Sequence, residues 1–151
     1  MYLNTIRAGL TGLAVAALVA TAPVAATAAE IHYKFELSGA NEVPPNDSAG
    51  KGSGVAKYDE ETKTLSWEIS YDGLSGSATA AHFHGPAGPG ENAPPVVPLS
   101  GDLASPISGS VVFTDEQAAA ITGGKWNNWY FNIHSAKFPD GEIRGQVEKS
   151  Q

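Results

Sequence analysis

The chain is predicted to be all-β: an antiparallel sandwich or barrel with one short helix in a connection. Three observations carry this. Apolar and polar residues alternate with a period of two in several short stretches, as in a strand with one wet face. Helical periodicity appears in a single stretch, TDEQAAAITGG. Gly, Pro, Asn and Asp cluster between the alternating stretches at roughly regular spacing, and short strands so spaced build sandwiches or barrels.

The first segment stands apart from this pattern. Arg7 gives a positive start, 8–22 is almost wholly apolar, and Ala26-Thr27-Ala28 has the small-x-small form of a cleavage site. That is the layout of a secretory signal peptide, expected to cover 1–28 with cleavage after Ala28. The apolar run of about 15 residues is short of the roughly 20 needed to span a bilayer, and Pro23 breaks it. Residues 29–151 are then expected to form one β domain, secreted or periplasmic, that does not span a membrane.

In IHYKFELSG, Ile31, Tyr33, Phe35 and Leu37 share one face, while His32, Lys34 and Glu36 share the other. The stretch 40–54 is rich in Pro and Gly and is expected to be a loop. GVAKYDEETKTLSWEISYDGL is a hairpin with its turn at 59–62, and Leu65, Trp67, Ile69 and Tyr71 point one way on its return strand. SATAAHFH is a further strand, 85–101 a long loop, and ISGSVVFT a strand. The helix has Thr114 as its cap, Gln117 at the third helical position of a capping box, Asp115 and Glu116 at its positive end, and Gly123 or Gly124 to close it. NWYFNIH buries Trp129, Phe131 and Ile133 and turns Tyr130, Asn132 and His134 the other way. FPDG makes a turn with Gly141 at its strained position, and in GEIRGQV the residues Ile143 and Val147 go inward. The core is expected to draw on Trp67, Trp126 and Trp129.

Charge and cysteine content narrow the function. The segment 1–28 holds one base and no acid, so the remainder is one unit more negative than the whole chain's −7. Such a surface repels phosphate backbones, which argues against nucleic acid as a partner. With no cysteine, disulfides, thiolate metal sites and thiol nucleophiles are excluded.

The sharpest chemical feature is AHFHGP. On a strand, residues two apart lie on one face about 6.5–7 Å from each other, so His82 and His84 can converge on one ion while Phe83 anchors the other side. His134 closes another strand on the face opposite its core residues. Three imidazoles suit zinc or copper. Glu142, Glu91 or water is the candidate fourth ligand, with Tyr130 and Asn132 as supporting neighbours. The same histidines also fit a plain structural role, hydrogen-bonded to loop carbonyls at strand ends. His32, beside Lys34 and Glu36, reads as a solvated surface residue, and Asp59, Glu60 and Glu61 as a solvated turn. Glu142 and Arg144 share a face of the last strand and are expected to pair with each other or with a neighbouring strand, a surface pair worth under about 1 kcal/mol. Neither GKGSG nor any G-x-S-x-G elbow supplies a phosphate loop or a serine nucleophile.

In order along the chain, LSGANEVPP, TAAHFHGPAGPGENAPPVVPLSG and SGSVVFTDEQAAAITGGKWNNWYFNIHSAKFPDGEIRGQ resemble the successive blocks of the CHRD domain, first described in chordin. The segment around His134 is longer than the family's usual Tyr-x-N-x-H-T, with Ser135 in the Thr place. The resemblance implies an immunoglobulin-like extracellular β domain that serves as a binding or structural module and not as an enzyme. The HxH arm is also similar in local form to the copper arm of copper/zinc superoxide dismutases. That enzyme's cysteine pair has no counterpart here, and four histidines are too few for its two-metal site. The leading expectation is a secreted, non-catalytic CHRD-type module that holds copper or zinc on His82, His84 and His134 and meets a partner outside the cell or at its envelope. The alternatives are an adhesion or matrix module using the loops 40–54 and 85–101, and a copper centre with superoxide dismutase-like or electron-transfer activity.

Overall fold

The computed structural model describes residues 29–124 and 128–150, so the expected signal peptide and Trp126 lie outside the described residues. The strands are β1 (Glu30–Ser38), β2 (Lys51–Asp59), β3 (Thr64–Asp72), β4 (Ala78–His84), β5 (Pro95–Pro98), β6 (Ile107–Val112), β7 (Tyr130–Ser135), β8 (Ile143–Gln146) and β9 (Glu148–Lys149). Among the described residues one α-helix, α1 (Asp115–Thr122), lies between β6 and β7, and a single 3-10 turn, Gly39–Asn41, follows β1. The all-β prediction therefore holds.

All pairings are antiparallel. The strands form one continuous sheet in the order β5-β4-β7-β8-β1-β2-β3-β6, with β9 also on β1. It has two wings. The β1-β2-β3-β6 wing is built on long unbroken ladders, Glu30↔Asp59 through Ser38↔Lys51 and Lys51↔Asp72 through Asp59↔Thr64. The β5-β4-β7-β8 wing joins it at a narrow seam, where β8 meets β1 only at Ser38↔Arg144. Further along β1, β9 pairs at Tyr33↔Lys149 and Lys34↔Glu148, bringing the two ends of the domain side by side.

The sheet curls because apolar side chains on one face of each wing bury against the other. Phe35 of the first wing lies with its ring 5.9 Å from Phe83 and 5.4 Å from Phe131 of the second. Trp67 is 5.8 Å from Phe83. Period-two alternation delivers this face: Tyr33, Phe35 and Leu37 are buried on β1, Leu65 and Ile69 on β3, Ala81 and Phe83 on β4, and Phe131 and Ile133 on β7. Ile143 and Val147 are buried as expected.

The helix follows its sequence signals. Gln117 N donates to Thr114 Oγ1 at 3.2 Å, and Thr114 N to Gln117 Oε1 at 3.0 Å, completing the capping box. Gly123 caps the far end. The amide of Gln117 also donates to Val96 O at 3.0 Å, tying the helix to β5.

Two stretches read as loops contain strands. β2 starts at Lys51, inside the expected 40–54 loop. Its glycines are compatible with a strand because something packs on them: a Cβ at Gly54 would overlap the Phe35 ring. Gly54→Ala is expected to lower stability by about 1–3 kcal/mol through overpacking, read as a lower urea midpoint with the slope unchanged. β5 lies inside the expected 85–101 loop. It is an edge strand on β4, pairing Phe83↔Val97 and His84↔Pro95, and an edge tolerates prolines because one side of its backbone needs no partner.

The expected surface pair of Glu142 and Arg144 is not formed. Both side chains are buried, at 0% and 1% exposure, and each is engaged elsewhere. Tyr130 and Asn132 do point away from the core, as the alternation requires, yet both are buried. The loop after β4 covers this outer face of β7 and β8. Gln146 Nε2 donates to Ala87 O at 2.8 Å, and Arg144 Nη2 to Gly88 O at 3.1 Å.

Candidate metal centre

Strand register brings the three histidines together. β4 pairs with β7 at Ala80↔His134, His82↔Asn132 and His84↔Tyr130. His134 is thus the diagonal neighbour of His82 on the outer face, a separation that long side chains bridge. The ring centroids lie 5.0 Å apart for His82 and His134, 5.3 Å for His82 and His84, and 6.4 Å for His84 and His134. One ring nitrogen from each falls within 4.8 Å of the others.

Hydrogen bonds fix which nitrogen two of the rings offer. His84 Nδ1 is 2.8 Å from Ala93 O, and His134 Nδ1 is 2.8 Å from Pro139 O. A carbonyl oxygen only accepts, so each Nδ1 holds the proton and each Nε2 keeps a lone pair. This is the outer arrangement that ligating histidines commonly have. His84 Nε2 is buried and has no hydrogen-bond partner. His134 Nε2 lies 3.2 Å from His82 Nδ1 and 3.1 Å from Asn132 Oδ1. With its Nδ1 proton on Pro139 O, His134 Nε2 is an acceptor, so His82 Nδ1–H donates to it in the metal-free protein, and a metal cation would take the place of that proton. Two nitrogens at bond lengths of about 2.0–2.1 Å on a tetrahedral ion stand roughly 3.4 Å apart. The His82–His134 spacing already matches this.

The electrostatics keep His82 and His84 neutral. Burial, then the neighbouring His134 and His84, pull His82 down to about 4. Burial also lowers His84, against the upward pull of its hydrogen bond to Ala93 O and of the nearby Asn132 side chain. Neutral imidazole is the ligating form. Proton competition at His82 therefore sets in below the ordinary range near 6.5.

The other sequence candidates lie elsewhere. Glu142 takes no part in the cluster: its Oε1 accepts from Ser48 Oγ at 2.7 Å and Ser75 N at 2.7 Å, and its Oε2 from Ser75 Oγ at 2.9 Å. Glu91 Oε2 accepts from Gly88 N at 3.2 Å in its own loop. His32 is exposed beside Glu30, as expected of a surface residue. Asp59 caps its turn, its Oδ1 accepting from Glu61 N and Thr62 N. Tyr130 and Asn132 do adjoin the cluster. The Tyr130 ring stacks on His84 at 4.7 Å and 7°.

Three residues near the centre were not singled out for it in the sequence. Glu42, in NEVPP, is buried beside Gly141, with an oxygen that lacks a hydrogen-bond partner. Asn92 donates to Val43 O at 2.9 Å and accepts from Arg144 Nη1 at 3.1 Å. Arg144 lies 3.4 Å over the Tyr130 ring. The signal was present in the motifs, since NEVPP, AHFHGP and GEIRGQ meet here. Their meeting depends on loop placement that alternation does not encode.

Fold and site together define an all-β module with a three-histidine cluster on the outer face of one wing. Residues 33–147 match the family model of the CHRD domain, and the chain belongs to that family. No curated protein and no solved structure matches it. Among the described residues, no helix is long and apolar enough to cross a membrane.

Proposed function

We propose that this protein is an exported, non-catalytic CHRD-type binding module that holds one copper or zinc ion on His82, His84 and His134. The observation that carries the reading is the convergence of three imidazole nitrogens within 4.8 Å, two of the rings oriented by carbonyls that take up their Nδ1 protons. An all-imidazole donor set suits zinc and copper over magnesium or calcium, and the general affinity order places copper first. When bound, the ion would supply a charged point with room for a further ligand beyond the three nitrogens. The protein's own share is to keep His82 and His84 neutral and to aim the rings of His84 and His134. Export rests on the pattern at 1–28, and membership of a family of binding and structural modules fits it. The loops fit this reading better than a free adhesive surface does. Carbonyls of the loop after β4 are taken up by His84, Arg144 and Gln146 of the same domain.

Calorimetric titration of the full-length protein with copper(II) and with zinc(II) at pH 7.5 tests the reading. One ion per chain is expected. His82→Ala and His134→Ala should each weaken binding at least tenfold, on the scale of losing a ligand or its support. Equal affinity in the wild type and both variants would overturn the three-histidine site.

A further inference from the structure

We propose that Arg144 is a positioning residue for the histidine centre, setting the ring orientation and proton placement of His84 through Tyr130 and the loop 88–93. The effect on metal affinity rests on the function proposed above; the effect on the His84 ring does not.

Arg144 is a fully buried cation, and no carboxylate pairs with it among the described residues. Its charge is met by the face of Tyr130, by Gly88 O and by Asn92 Oδ1, with the Glu42 carboxyl acting on it from beyond ion-pair distance. Those partners lead to His84 by two routes. The guanidinium lies 3.4 Å from the Tyr130 ring centroid and the His84 ring 4.7 Å from it, nearly parallel. Two flat groups at those spacings cannot share one face, so Tyr130 is held between them. The second route is the loop. Arg144 grips Gly88 and Asn92, Asn92 is tied to Val43, and the next residue, Ala93, accepts the Nδ1 proton of His84. Tyr130 Oη adjoins the same residue, 3.3 Å from Ala93 N and 3.2 Å from its O. Both routes leave Nε2 of His84 as the free donor atom. The task needs a planar fork that grips two points and stacks at once, which a lysine ammonium cannot supply.

Nitrogen-15 NMR of the histidine-labelled, metal-free, full-length protein tests this directly. The wild type should show His84 protonated on Nδ1. Arg144→Lys keeps the charge but removes the fork and the stacking plane. It should give a mixture of the two neutral His84 forms, and zinc affinity should drop about 10–100-fold. Tyr130→Leu removes the stack and the hydroxyl's contacts with Ala93, and Asn92→Ala, at an exposed loop position, removes one grip of Arg144 and the tie to Val43. Both should shift His84 the same way by less, even if Arg144→Lys folds poorly. A wild-type His84 protonated on Nε2 would overturn the proposal. So would an unchanged His84 signal in folded Tyr130→Leu and Asn92→Ala. If these shifts appear but the wild type binds neither zinc nor copper, the positioning role stands and the metal reading falls.

Discussion

Replacing Glu142 with alanine is expected to cost about 3–5 kcal/mol of folding stability, measured as the shift in urea unfolding at pH 7. The carboxylate is fully buried and accepts from Ser48 Oγ, Ser75 N and Ser75 Oγ. Ser75 Oγ in turn lies 3.1 Å from Ser135 Oγ. The side chain thereby fastens the segment before β2, the segment after β3 and the end of β7 to the start of β8. Truncation would strand these donors away from water and leave a cavity, and the two costs add. Burial pushes this carboxyl up, but hydrogen bonds from Ser135, Ser48 and Ser75 outweigh it and hold it below the usual range. Its contribution is therefore present above the ordinary carboxylate range and lost as pH falls through the lowered value. Glu142→Gln keeps the shape but turns an amide donor toward other donors, so about half the loss is expected. A cost below about 1 kcal/mol for the alanine variant would show that the network is dispensable.

Glu42 should behave in the opposite sense. Burial pushes its carboxyl up to about 7, against the pull of Arg144 and hydrogen bonding from Asn132 and Val43. A carboxyl raised on folding adds stability that is complete below its unfolded value near 4.5 and is lost as pH rises through the folded one. At 1.36 kcal/mol per pH unit, this amounts to about 2–3 kcal/mol lost between pH 4.5 and pH 8. Glu42→Gln should remove that loss and be the more stable form at pH 8. The comparison must be a difference between variants at each pH. His82 and His84, lowered by burial, act the other way and cost stability as pH falls below about 6.5. Parallel pH profiles for the wild type and Glu42→Gln would refute the assignment.

Much of the frame was legible in the chain because one apolar face per strand is a local signal. Tyr33, Phe35 and Leu37 declared β1, and Thr114 with Gln117 declared the start of α1. What misled was composition without context. Gly54 reads as a loop residue until the Phe35 ring that covers it is known, and Pro95 and Pro98 read as loop until β5 is seen to be an edge. The same division holds at the site. Alternation alone put His82 and His84 on one side. His134 joins them through a strand register that no local pattern states. Glu142 and Arg144 share a strand face, but their partners come from Ser48, Ser75, Gly88 and Asn92 in distant loops. Side-chain spacing could suggest that they pair with each other, yet only tertiary placement assigns their true contacts.

Pairing of β9 with β1, reinforced by Ser150 N donating to His32 O at 2.8 Å, has a mechanical meaning. Carried within a longer polypeptide, the domain would hang from it as a pendant and not as a bead threaded in line. A pull on both flanks would open the brief Tyr33–Lys149 and Lys34–Glu148 contacts one after another, like a zip. The β1–β2 rungs beyond Lys34 would carry the full load only after that clasp had parted.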